Sequence, residues 1–135
     1  MSDSIKHECG VALLRLRRPL DYFIRKYGTP FYGFEKMALL LEKQHNRGQD
    51  GAGLACLGLD PEPGRAPFTI EKSIRELPLA DLLERITKLI NAARPEPGVS
   101  GPEAKRRYPF AGELYLGHLR YGTFGGGGIG SCHPF

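Results

Sequence analysis

Six apolar residues that follow Pro78 (Leu79, Leu82, Leu83, Ile86, Leu89 and Ile90) recur at three- and four-residue spacing, so a helix here has one apolar face that must be covered. Pro78 falls in the first turn, where a missing N–H does no harm. A second helix is predicted from Phe34 to about Gln44, with Phe34, Met37, Leu40 and Leu41 on one side. Strand-like runs supply surfaces for these faces. Val11 to Leu16 reads as a strand buried on both faces and ending at Arg17, Arg18 and Pro19, and "LACLGL" from Leu54 reads as a second. Phe68 to Lys72 and "ELYLGHLRYG" from Glu113 add two more. Helices and strands in mixed order imply α+β or layered α/β, and periodicity chooses no further.

The breaks between these elements come from 18 glycines and 11 prolines, gathered at 61–67, 95–102 and 122–130. "PLDYFIRKYGTPFYG" has room for a short helix before Gly28, Pro30 and Gly33 interrupt it, and 94–111 reads as an irregular surface insert. A length of 135 residues fits one domain. The chain closes on a glycine run and a Pro-Phe that reads as buried, whereas a terminal strand or helix normally ties down the last ordered segment, so a domain continuing past Phe135 is expected.

Composition excludes some classes. Hydrophobic content of 41% with 25% charged residues suits a globular chain, and no stretch approaches the roughly 18 apolar residues of a membrane helix. The net charge of +4 would suit nucleic acid if the cations shared a face with aromatics between them. They fall instead into two groups, Arg15, Arg17 and Arg18 at a strand end and Lys105, Arg106 and Arg107 in the insert, so no nucleic-acid partner is expected. Cys9, Cys56 and Cys132 form no CxxC pair and are odd in number, which favours a reducing cytoplasm over a disulfide framework. "MSDSIKHE" lacks the apolar core of a secretory signal.

Cys9 is the first chemical candidate. A thiol attacks as the thiolate, and from an ordinary pKa near ~8.5 it needs a base or a positive environment. His7 lies two residues away, and His118 would have to arrive through the fold. Cleavage before Cys9 would supply another base, because the new α-amine, with a pKa near ~8, would sit on the nucleophilic residue itself. The competing reading is a small buried cysteine at a strand start. Arg120 and Thr123 in "GHLRYGTFG" form a second constellation, suited to clamping a carboxylate, or else an ordinary strand-end ion pair. Gly125–Gly128 has no Lys-Ser/Thr after it and makes a weak phosphate loop. The turn "RGQDGAG" either connects helix to strand or positions Arg47 near a pocket. The histidines and cysteines match no zinc spacing, and Cys56 reads as core.

"ECGV", "QHNRGQDGAG" and "GHLRYGTFGGGG", in this order, resemble the N-terminal glutaminase domain of the amidophosphoribosyltransferase family, over about residues 8–16, 34–58 and 112–135. The resemblance implies an N-terminal-nucleophile hydrolase fold, a four-layer αββα sandwich that would be incomplete at the C-terminus here. It implies that residues 1–8 are a propeptide and 9–135 a partial glutamine amidotransferase domain. Cys9 would be the catalytic nucleophile on glutamine, Arg120 would bind the glutamine α-carboxylate with Thr123 on the pocket wall, and Arg47 would lie near the site. Ammonia would pass to phosphoribosyl pyrophosphate, forming 5-phosphoribosylamine in purine synthesis. No cofactor is expected in this segment, and Mg²⁺ is expected on the phosphoribosyltransferase domain, which this chain lacks. A homo-oligomer without a membrane or nucleic-acid partner is also expected.

The family's Asn-Gly oxyanion segment and the acidic residue for the substrate amine would follow Phe135. Losing one oxyanion donor costs about 10²–10³ in rate, so these 135 residues alone should be nearly inactive. Segments 17–33 and 92–111 look like insertions. The rival readings are another class II amidotransferase, such as glucosamine-6-phosphate synthase, asparagine synthetase or glutamate synthase, or a non-catalytic domain that uses its basic insert to bind a partner.

Overall fold

The computed structural model describes residues 8–61, 63–64, 68–122 and 128–135. Four strands form one antiparallel sheet: β1 (Gly10–Arg15), β2 (Gly51–Leu57), β3 (Phe68–Ser73) and β4 (Leu114–Arg120), in spatial order β1-β4-β2-β3. Four α-helices accompany it among the described residues: α1 (Leu20–Tyr27), α2 (Tyr32–Lys43), α3 (Pro78–Ala92) and α4 (Gly101–Arg107). The class is therefore mixed α and β with an antiparallel sheet.

Side-chain alternation gives the sheet two unlike faces. Ala12, Leu54, Tyr115 and Leu119 point to the face covered by α2 and α3, where Met37 and Leu41 meet Leu82 and Ile86 with no measurable exposure. Each such aliphatic is worth about 2–5 kcal/mol against truncation to Ala. Polar ties fix α3 on the sheet edge: Ser73 Oγ donates to Asp81 Oδ2 at 2.6 Å, and Arg85 reaches Glu71 at 3.0 Å.

The other face carries Val11, Leu13 and Phe68, which are 60%, 68% and 50% exposed. This corrects the expectation that Val11–Leu16 is buried on both faces. An apolar run shows that a strand is present, but only the packing of helices on one side decides which alternate residues are covered. Part of the open face is crossed by 128–135, in which a single 3₁₀ turn spans Ile129–Ser131. Its carbonyl at His133 passes over Gly53 so closely that a Cβ there would collide with it. Of the terminal pair, Pro134 is buried whereas Phe135 is 75% exposed, with its ring 5.1 Å from Lys72 Nζ.

The segment 94–111 is the second correction. It contains α4, whose Ala104 is buried, and it delivers Tyr108, Phe110 and Ala111 to the core. Ser100 caps α4 by accepting the Glu103 N–H at 3.3 Å, and Asp21 Oδ1 accepts the Gly101 N–H at 2.7 Å, fastening α4 to α1. Phe110 has φ of 59°, a left-handed conformation held by its N–H to Thr69 Oγ1 at 3.2 Å and by its carbonyl, which accepts from Tyr115 Oη at 2.8 Å.

Candidate functional site

The candidate residues meet at the end of the sheet where β1 begins and β4 finishes. Gly10 is paired with Leu119 and Gly51 with Arg120, so Cys9, Arg120 and Gly51 occupy one row on the open face. The Tyr121 N–H points to Cys9 Sγ at 3.4 Å, and Tyr121 O lies 3.9 Å from the same sulfur. Cys9 is exposed, whereas Arg120 is only 7% exposed and shares its row with the nucleophile candidate.

The turn after α2 closes the site from the other side. The Asp50 N–H donates to Arg120 O at 3.0 Å, and Asp50 Oδ2 accepts the Gly122 N–H at 2.7 Å. Asp50 thus fixes the chain on both sides of Tyr121, the residue whose backbone touches Cys9. Sequence reasoning did not single out this aspartate, although it lies inside the "RGQDGAG" turn. Gly48 explains why the turn needs glycine: a Cβ there would stand 2.5 Å from Leu119 C and O and 2.7 Å from Arg120 C, all backbone atoms that cannot rotate away. Arg47 reaches toward the same end. Its guanidinium lies 3.7 Å from Glu8 Oε2, an exposed pair that contributes little to stability but ties Arg47 to the residue before Cys9.

Two further groups were not assigned to this place from the sequence. Cys132 is buried against Gly51, where a Cβ would lie 3.1 Å from its Sγ. Burial pushes the Cys132 thiol up, Lys72 and Arg120 pull it down, and negative charge on Cys9 opposes its ionisation. His118 occupies the next row on the open face, opposite Val11 and Gly53. Its Nδ1 is buried without a hydrogen-bond partner among the described residues, and its ring meets His133 edge-on at 4.8 Å. Burial, then His133 and Arg120, hold its pKa below the ordinary histidine value, so the neutral ring is favoured. Cys56 is buried core with its thiol pushed up to about 12 by desolvation, an unreactive setting.

Thr123, His7 and most of the glycine run lie outside the described residues. Among the described residues, no three His, Cys, Asp or Glu side chains converge as a metal-holding group, and no helix is long and apolar enough to cross a membrane. No protein-family model, curated protein or solved structure matches the chain.

Proposed function

We propose that this chain is the glutaminase part of an amidophosphoribosyltransferase, with Cys9 as nucleophile. The observation that carries the reading is the convergence of three segments far apart in sequence. The Cys9 thiol, the Asp50 turn and the segment Arg120–Gly122 at the end of β4 meet at one end of one sheet. A thiol beside a buried arginine and an exposed backbone edge suits an amino-acid substrate whose carboxylate pairs with the guanidinium while its side-chain amide faces the sulfur.

In the proposed reaction, hydrolysis of the Glu8–Cys9 bond removes residues 1–8 as a propeptide and frees the Cys9 α-amine. That amine accepts the thiol proton, and the thiolate attacks the glutamine side-chain carbonyl carbon. The amine then returns a proton to the departing nitrogen, which leaves as ammonia, and water hydrolyses the thioester to glutamate. Removing Glu8 also releases Arg47 from its ion pair, leaving a cation near the new N-terminus. Arg120 holds the substrate carboxylate. The apolar open face of the sheet supports the four-layer αββα arrangement, in which a second sheet would stack on Val11 and Leu13. Ammonia would pass to phosphoribosyl pyrophosphate on a Mg²⁺-dependent phosphoribosyltransferase domain of a cytoplasmic homo-oligomer.

The test is intact mass of the complete parent protein, purified without an N-terminal tag, before and after exposure to an electrophilic glutamine analogue. A mass lacking residues 1–8, together with one analogue adduct on Cys9, is expected. A retained leader and an unmodified Cys9 would leave a non-catalytic domain as the better account.

A further inference from the structure

A cleft bordered by the end of β1 and the start of β4 is remote from Cys9. It has a volume of about 640 Å³ and opens at the opposite end of the sheet, where Arg15 at the end of β1 pairs with Leu114 at the start of β4. At about 3.4 Å per residue along β1, this end lies about 20 Å from Cys9.

Both groups of cations that looked separate in the sequence line this one cleft. Arg15, Arg17 and Arg18 form one wall, and Lys105, Arg106 and Arg107 of α4 the other. Three carboxylates oppose these six cations, those of Asp21, Asp60 and Glu113. The α4 side is partly committed: Arg107 pairs with Glu96 at 2.8 Å, Arg106 pairs with Glu103, and Lys105 Nζ donates to Glu113 Oε1 at 2.9 Å and Leu59 O at 2.6 Å. An ammonium has three N–H bonds, so Lys105 retains one for a ligand. On the other wall, Arg15 and Arg17 have no acidic partner among the described residues, and Arg18 lies over the Tyr22 ring at 5.6 Å. Between the walls the cleft is apolar, lined by Leu16, Leu20, Phe68, Tyr108 and Phe110. Two non-glycine residues with left-handed backbone, Asp60 and Phe110, shape it, with φ of 53° and 59°.

We propose that this cleft is a second ligand site, distinct from the Cys9 site, which takes a small phosphorylated molecule carrying an aromatic or heteroaromatic ring. The phosphate is held by Arg15, Arg17 and the free Lys105 N–H, and the ring lies on Phe68 and Tyr108. The volume is within the range of small-molecule sites, and an apolar floor with a few convergent charges is the composition such sites share. Three cations, Arg15, Arg17 and Lys105, match the three terminal oxygens and near-double charge of a phosphate monoester better than the two oxygens and single charge of a monocarboxylate.

The test is titration of the isotopically labelled 135-residue chain, followed by amide NMR shifts, with phenyl phosphate, inorganic phosphate and phenol as separate probes. Saturable shifts confined to residues 15–21, 56–61, 68–69 and 101–113 are expected with phenyl phosphate, with at least about tenfold weaker binding of inorganic phosphate and of phenol. Charge-assisted contacts of this kind make the double variant R15Q/R17Q bind phenyl phosphate about tenfold or more weakly. Its unchanged amide spectrum elsewhere shows that the fold is intact, and Y108F serves as a second variant that retains the ring and should keep most of the affinity. Equal affinity for phenyl phosphate and inorganic phosphate, shifts spread over all basic surfaces, no saturation, or unchanged affinity in R15Q/R17Q would each overturn the proposal. No glutamine chemistry enters the readout, so the result is independent of the role of Cys9.

Discussion

The ion pair between Lys105 and Glu113 provides a quantitative test of how α4 is held to the sheet. Glu113 is only 4% exposed; its Oε2 accepts the Leu59 N–H at 2.8 Å and its Oε1 the Lys105 ammonium at 2.9 Å. K105M keeps the apolar stem and removes the charge, so a buried carboxylate is left with one N–H donor. Breaking such a pair costs about 3–5 kcal/mol. The Lys105 side chain is 19% exposed, which lets water reach the orphaned carboxylate and places the expected cost at the lower end, about 3 kcal/mol. With an unfolding entropy of about 2.1 cal/mol/K per residue, this corresponds to a fall in Tm of about 10 °C. In K105M/E113Q the uncompensated charge is gone while the amide oxygen can still accept from Leu59, so the double variant should recover at least about 1 kcal/mol relative to K105M. Urea unfolding of wild type, both single variants and the double variant measures the cycle. A cost below about 1 kcal/mol for K105M, the value of an exposed pair, together with no recovery in the double variant, would refute the reasoning.

Alkylation of the native chain near pH 8, read by peptide mass spectrometry, should label Cys9 first and spare Cys56, whose thiol is pushed up to about 12 by burial; equal rates at the two residues would contradict the assignment of Cys56 to an inert core position. G48A should cost about 1–3 kcal/mol, because its Cβ meets the Leu119 and Arg120 backbone, and should slow reaction of Cys9 with a glutamine analogue by loosening the Asp50 turn; an unchanged Tm would show that the turn has room to move. His118, held below its usual 6.5 by burial, His133 and Arg120, contributes stability that is present above the unfolded pKa and is lost as pH falls beneath it. Unfolding free energies of wild type and H118Q should therefore converge as the pH is lowered below about 6.5, and parallel curves would exclude this contribution.

The elements legible in the sequence are those with a long repeat of apolar spacing. Leu82, Ile86 and Ile90 recur over three turns, and the helix they predict from Pro78 is present with those residues buried. Helix α4 was not legible in this way, because "GPEAKRR" is seven residues long, opens with Gly-Pro and offers a single buried side-chain position at Ala104. The available signal was Ser100 three residues before Glu103, a capping pattern, but such a short helix persists only because Asp21 bonds Gly101 and Tyr108 enters the core. At the candidate site the sequence singled out Cys9, Arg47 and Arg120, while Asp50 became visible only through its bonds to Arg120 and Gly122.

The sequence by itself determined the four strands and the helices α2 and α3, because periodicity of two or of 3.6 is a local property of the chain. It also determined that Cys9, the RGQD turn and the HLRYG strand carry the reactive residue types. Tertiary structure alone decided that Val11 and Leu13 face outward, that the two basic clusters line one cleft, and that Arg120 lies beside Cys9. Each of these depends on strand register, and register is set by which face the helices cover, a choice made between segments a hundred residues apart.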